Sequence, residues 1–96
     1  MKVKKVFKKR VIDFYDPLLR VGDFTEKITL NYELLYPNHD DLDDMLIIQK
    51  AVKPELATDL LVCKIGDKHI LIKGHHTAAS LILKGKTELD CLIKRF

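Results

Sequence analysis

No apolar run in this 96-residue chain approaches the eighteen or so residues that a membrane-spanning helix needs. The N-terminus, MKVKKVFKKR, leads into mixed sequence instead of a secretory apolar core, and the expectation is a cytoplasmic protein. Cysteine is scarce. Cys63 and Cys91 sit inside apolar runs, and neither belongs to a Cys-x-x-Cys pair of the kind used by zinc and redox sites. Both read as reduced core residues. There is no internal repeat and no low-complexity tract. Aromatic residues interleave the basic N-terminus only at Phe7, Phe14 and Tyr15, too few for a surface that stacks single-stranded bases.

What is present fits one modest core. A hydrophobic content of 47% in 96 residues predicts a single domain over 1–96, with residues 1–27 as an N-terminal β extension on a core of 28–96. Charge is unevenly placed. Residues 1–20 carry seven Lys/Arg against two acids, residues 21–60 three against nine, and residues 61–96 seven against three, for net charges of +5, −6 and +4. The run Lys2, Lys4, Lys5, Lys8, Lys9 and Arg10 has two readings. It is either a weak phosphate contact for nucleic acid, or a solvated edge that partners the acidic middle.

The element pattern is that of an α+β fold: a small mixed β-sheet with two helices and an extra N-terminal β segment. Residues 3–15 read as a strand, followed by turns at Asp16-Pro17 and Gly22-Asp23. Residues 27–35 read as a second strand, closed by Tyr36-Pro37-Asn38. In HDDLDDMLIIQKAVK, Leu42, Met45, Leu46 and Gln49 recur at helical spacing, and Lys53-Pro54 ends the helix. Strands at 60–65 and 69–73 flank a tight Gly66-Asp67 turn. A helix over 76–84 stops at Gly85, and a last strand covers about 88–94.

The junction LIKGHHTAAS is where chemistry is expected. Gly74 can take backbone angles closed to other residues and bring the main chain close to a ligand. The helix that follows presents free N–H groups and a positive dipole end, a seat for an anion. Thr77 can cap that helix or bond a ligand oxygen, and His75 and His76 can donate to phosphate, bind a metal or shuttle protons. The alternative is that all four residues simply start a helix.

Residues 28–93 resemble the ParB/sulfiredoxin-like domain, also described as the ParB-like nuclease domain. The resemblance rests on ITLNYELLYPN, a helix, and LLVCKIGDKHILIKGHHTAASLILKGKTELDCLIK. It implies a nucleotide-phosphate site at Gly74, His75, His76 and Thr77, with His75 and His76 as the catalytic candidates and a nucleoside triphosphate with Mg2+ as the ligand. Sulfiredoxins carry a reactive cysteine where His75 stands and an arginine where Thr77 stands, so sulfinic-acid reduction is not expected. Partition proteins of the family carry Glu-Arg-Arg at 75–77. The histidines here lack the bidentate forks that suit triphosphate oxygens. The chain holds no helix-turn-helix region after its last strand, and sequence-specific DNA binding is not expected of it.

Asp40 and Asp44 lie four residues apart, on one helical face, with His39 beside them. They are metal candidates, and equally ordinary acidic residues opposing a helix dipole. His69 reads as a surface or satisfied core residue. Three functions follow from these readings: a minimal nucleotide-binding module, a metal-dependent nuclease or phosphohydrolase, and a degenerate interaction module acting as a homodimer through residues 1–27.

Overall fold

Five short segments in which apolar and polar residues are mixed pair into one sheet in the computed structural model, which describes all 96 residues. The strands are β1 (Glu26–Asn31), β2 (Leu35–Pro37), β3 (Leu61–Ile65), β4 (Lys68–Lys73) and β5 (Glu88–Arg95). Their order across the sheet is β1-β5-β3-β4-β2. β1 with β5 and β3 with β4 run antiparallel, whereas β3 with β5 and β2 with β4 run parallel, so the sheet is mixed. Two helices, α1 (Asp44–Val52) and α2 (His75–Leu83), complete an α+β fold. No helix is long and apolar enough to cross a membrane.

Alternation along the strands divides the core. Val62, Leu71, Leu89 and Cys91 point to the helical side, where they meet Ala78, Ala79, Leu42 and Ile47. Leu61 and Cys63 point to the other side and pack with Phe24, supported by Phe14, Leu19 and Leu92. Ala78 and Ala79 are fully buried, and their small side chains let α2 lie close to the sheet. Both cysteines are free and buried, and burial pushes each thiol up to about 11, which keeps it protonated and unreactive.

Two expectations about the N-terminal third are corrected. Residues 3–15 do not form a strand: Val3–Lys5 is a turn of 3-10 helix, and only Lys2 makes an isolated bridge, to Asp41. The apolar residues Val3, Val6 and Phe7 follow an i, i+3, i+4 spacing, which one helical turn gathers onto one face and a strand would scatter. All three are buried in the larger core cluster. Val11 still packs on that cluster, and residues 14–24 then lie on the opposite side of the sheet, where Phe14, Leu19 and Phe24 cover it. Val3, Val6, Phe7 and Phe24 of the extension are therefore covered by the chain itself, whereas Tyr15, Leu18 and Val21 stay exposed.

The second correction concerns residues 27–35, which split into two strands on opposite edges of the sheet. Asn31 ends β1 because its side-chain oxygen accepts the Glu33 N–H at 2.8 Å, closing a local turn that competes with the ladder. Pro37 fits in β2 because β2 is an edge strand.

Truncating Phe7 tests whether the N-terminal turn belongs to the core. Phe7→Ala is expected to lower the unfolding free energy by about 3–5 kcal/mol in urea melts. A loss below about 1 kcal/mol would show that the segment rests on the core without stabilising it.

Candidate functional site

β4 ends at Lys73, and Gly74 turns the chain into α2 with a φ of 98°, in the left-handed region where a side chain is strained. Space imposes a second constraint. A Cβ at this position would lie 2.6 Å from Leu60 Cδ2 and 2.8 Å from the Asp59 carbonyl oxygen. The segment that leads into β3 thus lies directly against the glycine.

The three residues after it all face inward to some degree. His75 is 3% exposed, and its Nε2 accepts the Asn38 N–H at 3.1 Å. Its ring meets Phe7 edge-on at 6.1 Å between centroids and lies 4.0 Å from the ring of His39. His76 is half-buried, and its Nε2 accepts the Asp43 N–H at 3.0 Å. Thr77 is 3% exposed; its Oγ1 accepts the Thr58 N–H at 3.0 Å and lies 3.2 Å from the Thr58 hydroxyl. Accepting through Nε2 places the proton of each neutral imidazole on Nδ1. The side chains expected to cradle a phosphate hold two loops of the chain instead, 38–43 and the one carrying Thr58.

The main chain is different. The N–H groups of His75, His76 and Thr77 donate to no backbone or side-chain acceptor, and Gly74 supplies no side-chain cap. The first intrahelical bond is from the Ala78 N–H to the Gly74 carbonyl at 2.8 Å. Three consecutive donors at the positive end of a nine-residue helix therefore lack an acceptor within the chain.

Burial dominates the electrostatics of the pair. Desolvation, with smaller contributions from His39 and His76, pushes His75 down to about 3. Desolvation also lowers His76, helped by His39 and Lys50 and opposed by Asp43. Both rings are neutral at pH 7, as their acceptor roles require. His69, expected as a surface or satisfied residue, is half-buried on β4 and is likewise lowered by desolvation.

The metal candidates take other partners. Asp40 lies 3.4 Å from the Lys2 ammonium, and Asp44 lies 3.0 Å from the N-terminal amine of Met1. Asp41 bonds Lys2 at 2.6 Å, and that hydrogen bond holds its carboxyl below the usual range. Asp43 caps α1 by accepting the Met45 N–H. No group of three or more His, Cys, Asp or Glu comes together to hold a metal ion. The basic N-terminus thus meets part of the acidic middle segment.

Clefts of about 320 and 200 Å3 flank the segment around Thr58 and Asp59, one beside Lys73 and the other beside Thr77 and Lys86. The largest cleft, about 430 Å3, lies between β1, β5 and the Asp59–Leu60 segment, whose other contacts include Gly74.

A solved structure of a conserved hypothetical protein from Pyrococcus furiosus matches 74% of this chain with a TM-score of 0.60 and 21% identity. The likeness is one of fold. The match covers 33% of that protein, so this chain spans about a third of its length. No protein-family model matches the chain, and no curated protein matches it.

The sequence indicates the junction itself, but not what fills it. Asn38, Asp43, Thr58 and Leu60 touch the junction from 14 or more residues away in sequence, and nothing in their local pattern marks them as its partners.

Two outcomes follow. Because His75 binds its proton more readily unfolded than folded, its contribution is present above pH 6.5 and is lost as pH falls from 6.5 toward 3. In that window its share of the slope of unfolding free energy against pH is about 1.4 kcal/mol per unit. His75→Gln, which keeps an acceptor and removes the proton site, should flatten denaturant-derived stability by that amount; an unchanged slope refutes the assignment. Gly74→Ala should cost at least about 2 kcal/mol in the same assay, because both its φ and the Leu60 contact oppose a side chain. A neutral substitution would contradict both.

Proposed function

We propose that this chain is a small ParB/sulfiredoxin-like module that binds a nucleotide or related phosphate-bearing ligand at the Gly74–Thr77 junction. The observation that carries the reading is the set of three unpaired amides at His75, His76 and Thr77 behind a left-handed glycine. In this reading the main chain supplies the phosphate donors, and the positive end of α2 supplies the field. Lys73, exposed at the end of β4, is the nearest cation in sequence. The histidine and threonine side chains position the loops beside the amides. A nucleoside triphosphate brings its own Mg2+, which needs few protein ligands. Turnover of such a ligand would draw on His76, the less buried ring, as a neutral base once it is released from the Asp43 amide.

An NMR titration of 15N-labelled protein with ATP, CTP and pyrophosphate, with and without Mg2+, tests this directly. The amides of His75, His76 and Thr77 should show the largest shifts, and His76→Ala should change the dissociation constant by less than about threefold, since its ring is not the donor. Amides that stay unmoved at about 10 mM ligand would overturn the reading. Binding abolished by His76→Ala would transfer the donor role to the side chain.

A further inference from the structure

α1 buries one residue, Ile47, and turns much of its apolar surface outward. Met45, Ile48 and Val52 are 62%, 53% and 70% exposed, and their i, i+3, i+7 spacing aligns them in one stripe. Leu46 and Leu56 are exposed nearby, off this stripe. Five of the twelve exposed large hydrophobic residues of the chain fall between 45 and 56. A helix that is apolar on its outer as well as its inner side calls for a cover on both, and clustering of this kind marks an interaction surface.

The charges around the stripe identify the cover. Asp43, which caps α1, and Asp44, which the Met1 amine meets at 3.0 Å, stand exposed at its start, and Lys53 stands exposed just past its end. Ile48 lies midway, four residues after Asp44 and five before Lys53. A twofold axis crossing α1 between Ile48 and Gln49 brings the acidic end of one helix to the basic end of the other and sets Met45 against Val52. A parallel arrangement would oppose like charges. Nucleic acid and anionic lipid would both meet the aspartates. A second copy of this chain is the partner whose charge pattern and apolar stripe match by symmetry alone.

We propose that the outer face of α1 is a homodimer interface in which Met45, Ile48 and Val52 pack antiparallel against the same residues of a second copy. The assembly does not depend on the phosphate reading, because these residues lie outside the junction. A nine-residue helix is only about 13 Å long, so the contact belongs with small interfaces, and its dissociation constant is on the order of micromolar.

Sedimentation equilibrium over a concentration series tests it on the full chain, with circular dichroism to confirm that each variant is folded. The expected result is a monomer–dimer equilibrium that Ile48→Asp weakens about 30-fold or more, as for a central contact. Lys53→Glu should weaken it as well, with less dependence on salt than the wild type shows. Val21→Asp, at a residue 60% exposed elsewhere, should leave it unchanged. A folded protein that stays monomeric to about 0.5 mM overturns the proposal. A dimer that is indifferent to Ile48→Asp, or equally sensitive to Val21→Asp, overturns it too.

Discussion

Two imidazole nitrogens accepting backbone N–H groups hold the junction together. Through them α2 fixes both ends of the 38–43 loop: His75 takes the amide of Asn38, next to the end of β2, and His76 takes that of Asp43, the cap of α1. Those two bonds join α2 to the segment that leads from β2 into α1, beside the apolar contacts of the same side. Leu42, inside the loop, is driven into the core, and the chain around Asp40 and Asp41 is held where Met1, Lys2 and Val3 can bond to it. The bonds exist only while the rings are neutral. Burial secures that, because a charged imidazole would lose its solvation and its acceptor lone pair together.

This arrangement separates the two chemistries of a helix start. Side chains at 75–77 are spent on the fold, whereas main-chain donors at the same positions are not. Backbone donors suit a ligand oxygen at least as well as neutral rings do, since they are preorganised and carry the dipole of the helix.

Much of the fold was legible in the sequence wherever local pattern and tertiary demand agree. The β3–β4 hairpin was signalled by Gly66-Asp67 between two apolar runs, and α2 by Gly74 and Gly85 at its ends. The N-terminus misled because Val, Phe and Ile are good strand formers, while the spacing of Val3, Val6 and Phe7 is that of a turn of helix. The stretch at 27–35 misled because a single Asx turn at Asn31 outweighs an unbroken strand-like composition. At the site, the residue types at 74–77 pointed to the correct place for a close backbone approach. Only the fold reveals that the chain's own Asp59–Leu60 segment makes that approach.

The short turn between β1 and β2 has a geometric consequence for the whole sheet. Those strands occupy opposite edges, four strand spacings apart, which in a flat sheet is roughly 19 Å. The chain from Asn31 to Leu35 reaches at most about 14 Å, and its 3-10 turn shortens that further. The two edges must therefore bend toward each other, so the sheet is curled and the short turn joins its opposite edges. Ile28, Leu30 and Tyr32 pack on the same cluster as α2, which places the turn over the helical side of the core. The Tyr32–Leu34 turn thus tethers one edge of the sheet to the other.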